Sequence, residues 1–203
     1  MYGVNITTAP VGKVINTADL QKHCEIATAD SSHDDYLDLL LVAAVELFEE
    51  MTGCHLLSRT ADYYIDKLPR ADTDSIYFPH YPVTSIGDLQ YKTSEGTQTY
   101  TTGNLVRSTT RKPASLAPVE GASWPDPLDE PDSVIIKDVV TGYGADSIPT
   151  SLKQSLLLLV GFWFENRQSV ITGSIASELP FATKIIWETY RLRCGYFKLQ
   201  EAY

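Results

Sequence analysis

A chain of 203 residues with 43% hydrophobic and 21% charged residues suits one folded domain, or one domain carrying an insertion, with enough length to bury a sizeable core. Its 16 Lys and Arg against 26 Asp and Glu leave a formal net charge of −10, which argues against a broad phosphate-gripping face built from clustered cations. The sign of the charge still permits a wall past which a polyanion slides, because such a wall repels DNA rather than holding it.

The first predicted element begins at Asn16, an N-cap residue type, with Asp19 placed to reach back three residues later. A short helix carrying Leu20, Cys24 and Ile26 is expected to follow, before a polar break at residues 28–33. Ser32 is the next candidate cap, with Asp34 and Asp35 in the first turn, where the helix dipole favours acids. Leu37, Leu41, Ala44, Phe48 and Met51 then recur at steps of four and three, with Leu40 and Leu47 beside them, and Gly53 stands at the C′ position. Asp38, Glu46, Glu49 and Glu50 make the solvent face of this helix acidic.

The middle third changes character. Residues 57–68 are rich in Thr, Tyr and Ile and predict a strand ended by Pro69, and residues 75–78 predict a second, stopped by Pro79 and Pro82. Residues 83–92 and 97–106 flank Ser94-Glu95-Gly96, a hairpin turn. Residues 133–141 carry Val134, Ile136 and Val139 in a β-branched run ending at Gly142-Tyr143-Gly144. Between them, residues 109–132 hold Pro113, Pro118, Pro125, Pro127 and Pro131 and predict a long, proline-punctuated loop.

The strongest periodic signal comes next. Pro149 sits at an expected first helical position, and Leu152, Leu156, Leu159 and Trp163 follow at steps of four, three and four. Leu157, Leu158, Val160 and Phe164 add apolar surface outside that stripe, so the helix, expected to run to Gln168, must be surrounded by protein. A Gly- and Ser-containing connector over residues 170–178 leads to Pro180. The last predicted helix carries Ile185, Ile186 and Tyr190 on one side, Ala182 as a close-contact residue, Arg191 and Arg193 in its final turns, and a stop at Gly195. An aromatic tail, residues 196–203, ends the sequence.

The order helix, helix, β insertion, helix, helix, tail predicts an α+β fold. Residues 1–56 and 146–195 are expected to supply the N- and C-terminal helices of one bundle. Residues 57–145 form a β-rich insertion projecting from it, and residues 196–203 a tail arm. Leu41, Phe48, Leu156 and Trp163 are expected in the shared core.

Chemistry is sparse. Gly142-Tyr143-Gly144 lacks the third glycine of a dinucleotide fingerprint, since position 147 is Ser, and reads as a strand-ending turn. No serine sits in a nucleophile-elbow frame. Of the four histidines, His23, His33, His55 and His80, none pairs with another at i+4; Cys54-His55 is adjacent but does not converge as a zinc site requires. The three cysteines, Cys24, Cys54 and Cys194, are far apart and odd in number, which argues for buried thiols in a reducing compartment rather than a disulfide framework. Asp34/Asp35 and Glu49/Glu50 are placed for capping and solvation. Asp126, Asp129, Glu130 and Asp132 lack calcium-loop spacing. Arg107, Arg111 and Lys112 form a small basic patch beside the long loop. No catalytic, cofactor or metal site is expected. No secretory signal is visible at Met1-Tyr2-Gly3-Val4-Asn5, and the apolar runs at 39–45 and 156–164 are far shorter than the ~20 residues of a membrane span, so a soluble protein with no membrane contact is expected.

Five stretches in order give the chain a resemblance. They are Asn16-Thr17-Ala18-Asp19-Leu20-Gln21-Lys22-His23-Cys24; Asp34-Asp35-Tyr36-Leu37 through Ala43-Ala44 to Met51-Thr52-Gly53 and Leu56-Leu57-Ser58-Arg59-Thr60; Pro82-Val83-Thr84-Ser85-Ile86; Val140-Thr141-Gly142-Tyr143-Gly144 with Ile148-Pro149 and Leu152-Lys153-Gln154; and Trp163-Phe164-Glu165-Asn166-Arg167 with Leu179-Pro180. The set resembles the head-to-tail connector proteins of long-tailed bacteriophages, also called adaptor or head-completion proteins. The loop at 109–132 and the aromatic tail depart from the family pattern.

The resemblance implies a structural assembly protein without catalysis. It would form a dodecameric ring beneath the portal and extend the DNA channel. Its partners would be the portal ring, further copies of itself, with only weak association or a monomer expected in isolation, and a downstream head-closure or tail protein. DNA would pass through without specific binding. The expected place is the head–tail interface of the virion, after assembly in the host cytoplasm. Tyr196, Phe197, Leu199 and Tyr203 are the candidate partner-binding residues, and Glu46, Glu49 and Glu50 the candidate channel-lining acids. Two alternatives stand beside this reading: a DNA-packaging accessory acting transiently at the portal, and a small carboxylate-dependent hydrolase using Asp126, Asp129 or Glu130.

Overall fold

The computed structural model describes residues 2–27, 29–71, 74–166 and 180–192. Among the described residues, four α-helices and two sheets of antiparallel strands make the fold α+β. The chain divides into two compact units. One holds the helices, from residues 12–56 and 144–191; the other holds the strands, from residues 2–11 and 57–143.

In the helical unit, α1 (Thr17–His23), α2 (Asp34–Thr52), α3 (Thr150–Glu165) and α4 (Phe181–Tyr190) pack on one another. The stripe Leu37, Leu41, Ala44 and Phe48 on α2 is buried, as is Leu152, Leu156, Leu159 and Val160 on α3. Gly53 closes α2 in the left-handed conformation, φ 68°, and donates its N–H to the Glu49 carbonyl. Met51 departs from the expected core and is 41% exposed. Trp163 is half-buried rather than buried, as are Leu157, Leu158 and Phe164; α3 is covered over most, not all, of its circumference.

The caps differ from expectation. Asn16 occupies the N-cap of α1 with an extended backbone, yet its side chain makes no capping bond; Asp19 pairs with Lys22 at 3.6 Å instead. His33, not Ser32, precedes the first residue of α2. Ser32 instead gives its backbone N–H to Asp30 Oδ1 at 3.0 Å in a local turn. Pro149 caps α3 from just outside the helix. On α4 the buried residues are Thr183 and Trp187, while Ile185 is 51% exposed and Ala182 is exposed. The adjacent isoleucines gave the pattern two possible phases, and a buried threonine disguised the true one. No described helix is long and apolar enough to cross a membrane.

In the β unit the larger sheet runs β1-β2-β9-β5-β6, with β4 also on β9. Its strands are β1 (Tyr2–Thr8), β2 (Arg59–Ile65), β4 (Val83–Ser85), β5 (Leu89–Thr93), β6 (Gly96–Thr99) and β9 (Val134–Thr141). The hairpin expected over 83–92 and 97–106 is shorter: β5 pairs with β6, Thr93 opposite Gly96, whereas residues 83–85 pair separately with β9 and residues 105–108 join the smaller sheet. A Cβ on Gly87, between β4 and β5, would lie 2.4 Å from the Lys137 carbonyl oxygen, so the backbones meet there. The smaller sheet orders β3 (Ile76–Tyr77), β8 (Ser115–Pro118) and β7 (Leu105–Ser108).

Two strands correct the sequence reading. Residues 1–56 were expected to give helices alone, but Tyr2–Thr8 is a strand laid antiparallel on β2. The loop at 109–132 contains β8, where Ala114, Ser115 and Leu116 are buried and Pro118 pairs opposite Leu105. A proline at a strand end costs little, and pairing to both β3 and β7 supplies what the local sequence lacks. The core of this unit gathers Tyr63, Ile65, Phe78, Leu89, Leu116, Val134, Ile136 and Val139.

Candidate functional site

The candidate partner-binding residues Tyr196, Phe197, Leu199 and Tyr203 lie outside the described residues, as do Cys194 and the connector at 170–178. The candidate acids are all described. α2 exposes one continuous stripe, Asp35, Leu39, Val42, Ala43, Glu46 and Glu50, opposite its buried one. Leu39 is 63% and Val42 54% exposed, so the stripe is apolar in the middle and acidic at both ends. Glu46 and Glu50 lie on it, one turn apart. Glu49 does not. It is half-buried, and its carboxylate accepts the Leu56 N–H at 2.8 Å, tying the segment after Gly53 back to the helix.

The carboxylates considered for hydrolysis do not converge. Asp129 is held by the Lys67 ammonium at 2.7 Å, which keeps its carboxyl below the usual range by hydrogen bonding first and charge second. Glu130 meets Lys92 at 3.4 Å, and Asp126 is exposed. No three metal-ligating side chains gather among the described residues. Cys54 and His55 are buried just past α2.

The basic patch has a structural use. Arg107 donates to the carbonyls of Ile86, Gly87 and Thr102 at 3.0–3.3 Å and lies 3.7 Å from Asp88, clamping the β4–β5 link to the smaller sheet. The Lys112 ammonium sits 4.0 Å from the centre of the Tyr81 ring. Gly142 adopts φ +105°, and a Cβ there would lie 2.3 Å from the Leu57 carbonyl oxygen. This position serves backbone contact rather than nucleotide binding.

Sequence reasoning missed two buried polar arrangements in the β unit. Asp62, 1% exposed, is bound by the Lys137 ammonium and by the Asp138 N–H at 3.0 Å; the hydrogen bond from Lys137 to Asp62, ahead of charge, raises the Lys137 pKa. His80 Nδ1 lies 2.8 Å from the Tyr63 hydroxyl. Burial pushes His80 down to about 4, with Arg59 adding to the effect, and the same burial pushes Tyr63 up. Tyr63 therefore stays protonated beside a neutral imidazole, and the histidine tautomer sets which of the two donates. A shallow cleft of about 390 Å³ lies elsewhere, in the helical unit, between Met51 and Thr52 at the end of α2 and Phe181, Lys184 and Trp187 on α4.

No protein-family model and no curated protein matches the chain. Solved structures do. A chain in the neck of an empty gene transfer agent particle, computed with C6 symmetry, aligns with a TM-score of 0.72 at 21% identity, covering 93% of this chain and 95% of that one. A chain in the virion of a native gene transfer agent particle, and one in the neck of the native particle computed with C12 symmetry, each align with a TM-score of 0.70 at 22% identity, covering 93% of this chain and 94% of theirs. At these identities the likeness establishes a shared fold, helices and antiparallel sheets together, over nearly the whole length of each chain.

Proposed function

We propose that this chain is a non-enzymatic structural component of the neck of a phage-like particle. It assembles as a ring beneath the portal, extends the DNA channel and presents a surface to a head-closure or tail protein. The observation that carries this reading is the whole-length likeness to chains from gene transfer agent necks, symmetric assemblies with C6 or C12 averaging. The ordered motifs that resemble head-to-tail connectors support it independently.

Within this reading the acids of α2 face the channel. Glu46 and Glu50 do so directly; Glu49 contributes charge while it braces the segment that follows. Residues 196–203 act as an arm that orders on the portal or on a neighbouring subunit. Burying Tyr196, Phe197, Leu199 and Tyr203 gains roughly 6–12 kcal/mol at about 1.5–3 each. Ordering the backbone of the arm costs roughly 8–16 kcal/mol at about 1–2 per residue. One arm nearly breaks even, so attachment relies on many arms acting from one ring.

Cross-linking mass spectrometry on mature particles tests the reading. Cross-links from this chain to the portal and to the first tail-side protein are expected. Deleting residues 196–203 should leave the melting temperature of the fold nearly unchanged and abolish attachment to portal-bearing heads. Absence of the chain from mature particles, with presence in packaging intermediates, would favour the transient packaging accessory instead.

A further inference from the structure

Strand β1 has its whole length of seven residues exposed, and it closes one end of the larger sheet. Its outer side carries no further strand among the described residues. Sheet edges of this kind are normally guarded by Lys, by Pro or by an inward-pointing charge. Gly3-Val4-Asn5-Ile6-Thr7-Thr8 contains none of these. The register shift between Ile6 and Thr8 bends only the end of the strand and leaves residues 2–6 as a regular edge.

The core also runs out under this strand. Val4 pairs opposite Tyr63 and Ile6 opposite Ala61, so both share the face on which Ala61 and Tyr63 are buried. Yet Val4 is 39% and Ile6 50% exposed. An apolar face continues past the end of its own cover.

The opposite end of the same sheet is β6, Gly96–Thr99, fully exposed and equally without charge or proline. The path from β1 to β6 contains five strands, and every neighbouring pair is antiparallel. Directions therefore alternate, and the two outer strands run the same way. The sheet can be continued by another copy of itself, keeping its direction and its core face, if β1 of one copy lies parallel to β6 of the next. Gln98, opposite Tyr91, would then fall on the same face as Val4 and Ile6, and Thr97 and Thr99 on the face of Asn5. In a chain of net charge −10, two uncharged edges are where copies can approach without self-repulsion.

We infer that β1 is an interface strand whose occupant is β6 of a second copy, so that one sheet runs from subunit to subunit. The contact is heterologous, because edge meets opposite edge, and such contacts propagate until a ring closes. β1 against β1 would instead be antiparallel and stop at two copies. This inference rests on the proposed ring but not on the ring's place in a particle. A short ladder between exposed strands is weak alone, so it gains its strength from closure and from attachment to a partner.

The test uses the full chain carrying Cys24→Ser and Cys194→Ser, with Cys54 left buried. Asn5→Cys is combined with Thr97→Cys or with Thr99→Cys, to span neighbouring registers, and a short bis-maleimide is added at high protein concentration. The expected result is a ladder of covalent oligomers extending past the dimer, absent when either introduced thiol stands alone. Thr97→Lys with Thr99→Lys should abolish cross-linking from Val4→Cys to an edge thiol at Gln98→Cys, which share a face, with the melting temperature unchanged. Dimers from Asn5→Cys alone would show two-fold pairing and overturn the inference, and so would monomers throughout. If the chain is found in mature necks but gives no ladder, this inference fails while the proposed function stands. A ladder from a chain absent from particles is the reverse outcome.

Discussion

Trp187 donates its indole N–H to the Ser155 hydroxyl at 3.0 Å, joining α4 to α3 inside the helical unit. Phe48 of α2 stands edge-on to the same indole, with ring centroids 5.3 Å apart. Ser155 donates its own hydroxyl to the Leu152 carbonyl at 2.8 Å, and the Ser155 carbonyl accepts from Thr183 at 3.4 Å. Three helices thus meet at one tryptophan whose polar atom is satisfied.

Trp187→Ala should cost about 3–5 kcal/mol, the range for a large aromatic removed from a core. Ser155→Ala strands a buried N–H and should cost about 1–3 kcal/mol. Trp187→Phe combined with Ser155→Ala should cost less than the two single changes summed, because the second change then leaves no orphaned donor. Urea unfolding of the four variants measures all three quantities. Strict additivity would show that the bond contributes nothing.

Gly142 makes a separate claim on the β unit. Alanine there meets left-handed backbone strain of about 1–3 kcal/mol and a carbonyl that must move. Gly12→Ala is the matched control: φ is +102°, yet nothing lies within 4 Å of the added Cβ. Gly142→Ala should destabilise by clearly more than Gly12→Ala, by ~2 kcal/mol or more. Equal melting temperatures would mean that the approach to Leu57 is not tight.

The helices α2 and α3 were legible because an apolar period of 3.6 needs no partner to be recognised, and the αL glycine at Gly53 marks its own place. β9 was legible as a β-branched run ended by Gly142. β1 was not, since Gly-Val-Asn-Ile-Thr is short and its place is settled by β2, more than fifty residues away. β8 was hidden among prolines for the same reason: its identity comes from β3 and β7 together. Trp187 lost to Ile185 and Ile186 in the periodic reading because hydrophobicity alone cannot choose between faces when a core position, Thr183, is polar. Of the candidate site, the acidity of α2 could be read from composition. The assignment of Glu49 to a local brace needed the fold.

His80 gives the β unit a pH dependence whose sign is determined. Its folded pKa, about 4, lies below the ordinary 6.5, because burial first and Arg59 second disfavour the imidazolium. The unfolded chain therefore takes up the proton first. This contribution to stability is fully present above about pH 6.5 and is lost as pH falls toward 4, up to ~3 kcal/mol in all. His80→Gln keeps a hydrogen-bonding partner for the Tyr63 hydroxyl, as donor or acceptor, and removes the titration. Wild type should lose more stability than His80→Gln between pH 7 and pH 5, measured by denaturant unfolding at each pH. Parallel losses in the two proteins would show that His80 is solvated in the folded state.

The exposed stripe of α2 carries the last prediction. Glu46 and Glu50 are one turn apart, both exposed, with no ion pair between either and a cation among the described residues. Two like charges at i and i+4 cost the helix about 0.2–0.5 kcal/mol, so their presence does not serve stability. On a channel wall they would keep duplex DNA from settling. Glu46→Lys with Glu50→Lys changes the net charge by +4, from −10 to −6, at positions that bury nothing. Folding should change by no more than about 0.5 kcal/mol, as for ordinary surface substitutions. Binding to duplex DNA should change more. The wild-type protein should show none at physiological salt, whereas the reversed protein, once assembled in a ring, should bind with a salt dependence that grows with the number of phosphates met, by about 0.9 in log–log slope for each. Fluorescence anisotropy across a salt series on assembled necks reads both. Tight wild-type binding would remove the sliding-wall reading, and a reversed protein that still ignores DNA would place the α2 stripe away from the channel.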